Sequence, residues 1–129
     1  MAGEIILVVE DNVVNRRLVE FLLRSKGYRV RQAATAREAF AALEADRPDL
    51  ILMDLQLPGL EGLEATKQLK ANPATRDIPV VAVTASAMLG ERERALAAGC
   101  AGFITKPFDK TTFLQQVASH LERGLRAED

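Results

Sequence analysis

The stretch Ile5-Ile6-Leu7-Val8-Val9-Glu10-Asp11 runs through five large apolar residues and then stops on two acids. A continuous apolar run of this length suits a strand covered on both faces, as in a parallel sheet, rather than an alternating, half-exposed one. The pattern recurs down the chain. Leu50-Ile51-Leu52-Met53 runs into Asp54, Val80-Val81-Ala82-Val83 into Thr84, and Phe103-Ile104-Thr105 into Lys106-Pro107. If these runs are parallel strands, their carboxyl ends meet at one edge of the sheet. Three carboxylates, a hydroxyl and an ammonium then share one small pocket.

The intervening segments read as helices. After a strand over 4–10, Asn12 is placed to cap a helix whose Val14, Leu18, Phe21 and Leu22 recur at helical spacing, ending at Gly27. Tyr28 to Ala33 reads as a shorter, polar strand with Val30 inward, which suits a sheet edge. Thr35-Ala36-Arg37-Glu38 has capping-box spacing and opens a helix presenting Ala39, Phe40 and Leu43 on one face. Pro48 marks the boundary before a central strand, Asp49 to Asp54, and Leu57-Pro58-Gly59 is a turn. A third helix spans about Gly62 to Ala71, and Asn72-Pro73 to Pro79 loops into the fourth strand. A fourth helix, about Met88 to Ala98, ends at Gly99 as a left-handed cap. The fifth strand is about Ala101 to Thr105. Asp109 caps the last helix, with Phe113 or Leu114, Val117 and Leu121 as its apolar stripe.

Five βα units in unbroken alternation predict an α/β domain over 1–129: a parallel sheet with helices on both faces and right-handed crossovers. Ligands of such sheets sit beyond the carboxyl ends of the strands, at the switch point. In a flavodoxin-like (βα)5 three-layer sandwich of strand order 2-1-3-4-5, that point lies between the strands ending in Glu10-Asp11 and Asp54.

Composition narrows the function. The 129 residues are 48% hydrophobic, enough for one core, and a net charge of −1 gives no bulk attraction for nucleic acid or anionic membrane. The single cysteine, Cys100, makes no intrachain disulfide and reads as a small buried packing residue, in keeping with a reducing cytoplasm. Met1-Ala2-Gly3-Glu4 lacks the basic-then-apolar pattern of a signal peptide, and no apolar run approaches the roughly 20 residues of a membrane span.

Three clustered carboxylates repel one another unless a proton or cation intervenes. An all-oxygen donor set favours Mg²⁺, which keeps several waters and is completed by phosphate oxygens; Mn²⁺ is its natural substitute. The lone histidine, His120, lies on the last helix and reads as solvated, so a zinc or iron site is not expected. With Mg²⁺ drawing in a phosphoryl group, a carboxylate can act as the nucleophile. Asp54, alone at the end of the central strand, is the candidate. Glu10 and Asp11 then hold metal, Lys106 supplies a point charge, and Thr84 a hydrogen-bond donor.

Glu10-Asp11, Asp54, Thr84-Ala85 and Lys106-Pro107, in this order and spacing, resemble the receiver domain of two-component response regulators across the whole chain. The resemblance implies phosphorylation of Asp54 by a phosphohistidine on a histidine kinase or histidine phosphotransfer protein. It adds the backbone carbonyl of Gln56 to the metal ligands and a Thr84 that moves toward the phosphoryl group in concert with Phe103. It also implies a cis Lys106–Pro107 bond and places Gln56 and Ser86 where similar domains tune phosphate lifetime. A downstream protein would dock on the face made by the fourth helix, fifth strand and fifth helix. Val9-Glu10-Asp11-Asn12 with Asn15 is similar to receivers of phosphorelays and hybrid kinases and to stand-alone regulators of the DivK type. Leu60-Glu61-Gly62 stands where many relatives have Met-Asp-Gly, and Phe103 lacks the hydroxyl of the more frequent Tyr.

The expected function is therefore a stand-alone, phosphorylation-driven binding switch without an output domain, and not an enzyme on external substrates. Two alternatives remain at this point. One is a receiver cut from a hybrid kinase or multidomain regulator. The other is a flavodoxin-like cofactor carrier, which needs a Gly/Ser/Thr-rich phosphate loop that Asp11-Asn12-Val13-Val14 does not resemble.

Overall fold

A computed structural model describes residues 3–55, 62–84, 90–105 and 109–128. Five strands, β1 (Ile5–Val9), β2 (Arg29–Ala33), β3 (Leu50–Asp54), β4 (Val80–Thr84) and β5 (Gly102–Thr105), alternate with α1 (Val13–Arg24), α2 (Ala36–Ala45), α3 (Gly62–Ala71), α4 (Glu91–Ala98) and α5 (Lys110–Glu128). All four strand pairings are parallel, in the order β2-β1-β3-β4-β5. Sequence and structure agree on every element and on the order.

Strand alternation sorts the core into two layers. Ile6, Val8, Leu50, Leu52, Val81, Val83 and Ile104 pack with Val19, Leu22 and Leu23 of α1 and with Phe113, Val117 and Leu121 of α5. Leu7, Val9, Ile51, Met53, Val80 and Ala82 face the other way, against Ala39 of α2, Ala65 and Leu69 of α3, and Ala95 of α4. Strands β1, β3 and β4 are thus buried on both faces, which is why they read as unbroken apolar runs. At the sheet's edge, β2 keeps only Val30 and Ala33 buried.

The expected caps form. Asn12 Oδ1 accepts from the N–H of Asn15 at 2.9 Å, and Asp109 Oδ2 from that of Thr112 at 3.0 Å. Thr35 Oγ1 accepts from Glu38 N at 3.1 Å, while Glu38 reaches back one residue further than a standard capping box, to Ala34 N at 2.8 Å. Gly99, at φ 109°, closes α4 in the left-handed conformation, and its N–H reaches Leu96 O at 3.0 Å. Gly27, at φ 85°, turns the chain after α1 has ended at Arg24. Helix α4 starts at Glu91 behind Gly90; the expected start at Met88 lies outside the described residues.

Helix α1 corrects one expectation. Of the apolar residues that recur at helical spacing and would suit a core face, Leu22 alone is buried, whereas Val14 is 74% and Phe21 68% exposed, with Leu18 and neighbouring Val13 about half exposed. The residues of α1 that are buried are Val19, Leu22 and Leu23, the same spacing moved one residue on, with the half-buried Asn15 at its start. Val14, Leu18 and Phe21 fall within about 60° of one another on the helix, pointing away from the sheet. Sequence periodicity cannot choose between two overlapping stripes, and the polar Asn15 disguises the true one. His120 is also placed differently from its solvated reading. It is half-buried and lies directly over Gly102 of β5, where any Cβ would collide with its ring.

Candidate phosphoryl and metal site

The register of the sheet builds the site. Val9 pairs with Met53, so the next residues, Glu10 and Asp54, stand level at the junction of β1 and β3. Asp54 pairs in turn with Val83, and Thr84 stands one step beyond. Carboxylate oxygens of Glu10, Asp11 and Asp54 lie within 4.8 Å of one another. Glu10 and Asp54 are only 5% and 8% exposed, whereas Asp11 is open to solvent. Val8, Val19, Leu52, Val83 and Phe113 line the space around Glu10 and Asp54. Apolar walls weaken the screening between the two buried carboxylates and favour a bound cation.

The loop that presents the acids is closed by its own hydrogen bonds. Glu10 N–H donates to Ala33 O at 2.9 Å, and Glu10 Oε2 accepts from Asn12 N at 3.2 Å. Arg16 Nη1 donates to Glu10 O at 2.8 Å, and its Nε to Gln32 Oε1 on β2 at 3.1 Å. Arg16 was not singled out from the sequence; a basic residue one turn into the helix after the acids was the only available signal.

Gly62 opens α3 directly against the site. A Cβ there would strike the carbonyl oxygen of Asp54 and sit 2.7 Å from Leu55 Cα. Its N–H donates to Leu55 O at 3.0 Å, and Thr66 Oγ1 donates to its carbonyl at 2.8 Å. The sequence places Gly62 at the start of the third helix and in the Leu60-Glu61-Gly62 motif, but carries no sign of its close approach to Asp54.

Thr84 is fully buried, and Phe103, half-buried, pairs with Ala82, so the two lie on one face of the sheet along adjoining strands. Gln56, Ser86, Ala85, Lys106 and Pro107 lie outside the described residues. Cys100 is buried, as expected of a packing residue; burial pushes its thiol up, against the opposing influence of a hydrogen bond with Thr66 and of nearby Lys70. Lys70 Nζ is spent on the carbonyls of Arg76 and Ile78, at 3.0 and 2.7 Å, and its stem packs against Gly99.

Three hard oxygen donors, two on a buried floor and one at the solvent edge, suit an ion that retains waters and shares its remaining positions with a phosphoryl group. The residues present thus fit Mg²⁺, and no His or Cys joins the cluster among the described residues.

An acidic cluster over the switch point of a 2-1-3-4-5 parallel sheet defines a small class of proteins. The model of the response regulator receiver domain matches residues 6–118, and the chain belongs to that family. Over 116 residues it is 43% identical to the polar-differentiation response regulator DivK of Brucella anthropi, covering 90% of this chain and 94% of that protein. Among solved structures, it is similar to the receiver domain of the sensor histidine kinase PA1611 from Pseudomonas aeruginosa, described with a magnesium ion coordinated in its active site cleft. That pair is 40% identical at a TM-score of 0.86, covering 94% of this chain and 99% of the other. NtrX from Brucella abortus matches at 31% identity and a TM-score of 0.90, covering 98% of this chain but 28% of that longer one. The chain is a receiver of two-component signalling, and the cofactor-carrier alternative is not favoured. Among the described residues no helix is long and apolar enough to cross a membrane.

Proposed function

We propose that this receiver is switched by Mg²⁺-dependent phosphorylation of Asp54, with Glu10, Asp11 and Asp54 holding the metal. The observation that carries the reading is the convergence of those three carboxylates within 4.8 Å at the β1–β3 junction. An Asp54 oxygen forms the bond to phosphorus as the histidine nitrogen–phosphorus bond of the donor breaks, leaving an acyl phosphate and a free imidazole. Bound Mg²⁺ would neutralise phosphoryl charge and orient the group. Thr84 then donates to a phosphoryl oxygen, and its movement is passed to Phe103 on the adjoining strand. Lys106 supplies a charge to the same group and the Gln56 carbonyl a further metal ligand, while Gln56 and Ser86 tune the lifetime; these roles rest on the family pattern. The protein acts on no external substrate and works in the cytoplasm, and residues 1–129 form one receiver unit, as in the DivK relative that the match covers to 94%.

Two surfaces serve partners. Val14, Leu18 and Phe21 form an exposed apolar face on α1, the helix that begins two residues after Asp11 at the solvent rim of the acidic cluster. A protein delivering a phosphohistidine to Asp54 must cover this rim, so the α1 face is the docking surface for the histidine kinase or phosphotransfer protein. The α4-β5-α5 face, where Leu96 is exposed and Phe103 half-buried, presents the switched state to the downstream partner.

Intact-mass measurement with acetyl phosphate tests the central reading. One phosphoryl group is expected to be gained with Mg²⁺ present and none with EDTA; addition that ignores EDTA would overturn the metal assignment. Replacing Phe21 with Asp leaves labelling by acetyl phosphate intact and slows transfer from a phosphorylated histidine donor roughly tenfold. Equal transfer rates would remove α1 as the docking face.

A further inference from the structure

We infer that Arg16 is a positioning residue for the metal site, holding the acidic loop in its binding shape. This rests on the reading that Glu10, Asp11 and Asp54 bind Mg²⁺. Glu10 lies one residue beyond β1, past the last strand pairing between β1 and β3. Its N–H is held by Ala33 O at 2.9 Å, and its carbonyl receives Arg16 Nη1 at 2.8 Å. Through Nε, the same guanidinium grips Gln32 Oε1 at 3.1 Å, tying α1 to the edge strand. Both donors leave one rigid plane, so the distance between β2 and the Glu10 peptide is set by the guanidinium itself. Glu10 is 5% exposed, so losing this donor takes a hydrogen bond from a largely buried residue. Rotation of that peptide would swing Glu10 and Asp11 apart, because the two side chains flank it.

Charge and positioning make opposite forecasts. Arg16 is a cation beside a cation site, so its charge alone weakens Mg²⁺ binding, and removing it would tighten binding. Positioning instead demands that removal weaken binding. Titration calorimetry with MgCl₂ on the folded protein decides by sign. Arg16→Ala is expected to raise the Mg²⁺ dissociation constant about tenfold, in the range found when partners of metal ligands are deleted. Arg16→Lys keeps the charge but lacks the two-armed fork, and is expected to restore only part of the affinity. Gln32→Ala, at an exposed position on β2, frees one arm with the charge in place and is expected to weaken binding about threefold by the same reasoning. Unchanged or tighter binding in Arg16→Ala, or full recovery with Lys, would overturn the inference. If the wild-type protein itself bound no Mg²⁺, the metal reading would fail and carry this inference with it. That outcome is distinct from a wild type that binds and an Arg16→Ala variant that matches it.

Discussion

Asparagine in place of Asp54 is expected to abolish phosphorylation while raising the stability of the metal-free protein. The amide has no anionic oxygen to attack phosphorus, so labelling by acetyl phosphate should fall to background in an intact-mass measurement. A phosphorylated Asp54→Asn species would show that another group is the acceptor. The stability gain follows from the site's own repulsion. Glu10 and Asp54 are both buried, with oxygens within 4.8 Å of one another. Two charges at that spacing oppose each other by roughly 3 kcal/mol at an effective dielectric of about 20. Hydrogen bonds and solvent offset part of that, so the variant should melt a few degrees higher in EDTA. Mg²⁺ at 100 times its dissociation constant adds about 2.7 kcal/mol to the wild type. Having lost one of its three carboxylates, the variant should gain much less. The two melting temperatures therefore converge, or cross, as Mg²⁺ is added. A variant that melts below wild type without metal would mean that Asp54 is held by favourable contacts stronger than the repulsion.

How far these features could be read in advance depended on whether they were local. The strands of the sheet's interior were legible because burial on both faces leaves no polar interruption between Ile5 and Val9 or between Leu50 and Met53. The acids were legible because such a run has to end at the sheet's edge, and Glu10, Asp11 and Asp54 mark those ends. The caps at Asn12, Thr35 and Asp109 were legible because the contact spans three residues. Helix α1 was misread for a physical reason: it carries apolar side chains on two faces, one for the core and one for solvent. Val14 and Phe21 gave the cleaner pattern on the wrong face. Arg16 depends on Gln32, 16 residues away on another strand, and no periodicity reports such a pair.

A methyl group at Gly62 is expected to cost about 3 kcal/mol, at the upper end of overpacking penalties, and to slow phosphorylation of Asp54 at least tenfold. The demand at this position is for space. Gly62 is not among the glycines at positive φ, so alanine could adopt its backbone angles. What it could not do is fit: its Cβ would strike the Asp54 carbonyl oxygen and lie 2.7 Å from Leu55 Cα, both of them backbone atoms. Neither side can yield cheaply. Asp54 is fixed in the central strand by its pairing with β4, and Gly62 is fixed by its bond to Leu55 O and by Thr66 behind it. Relief has to come from moving the first turn of α3 away or the end of β3 inward, and the second displaces the phosphoryl acceptor. Gly3→Ala provides the contrast. Gly3 sits at φ 103° with open space around its Cβ position, before the start of β1. Alanine there costs about 1–2 kcal/mol of backbone strain and leaves the strand ends alone. Urea denaturation should thus show both variants weakened, while the acetyl phosphate labelling rate falls in Gly62→Ala only. Equal labelling rates in the two variants would mean that the Asp54 carboxylate is positioned independently of the α3 start.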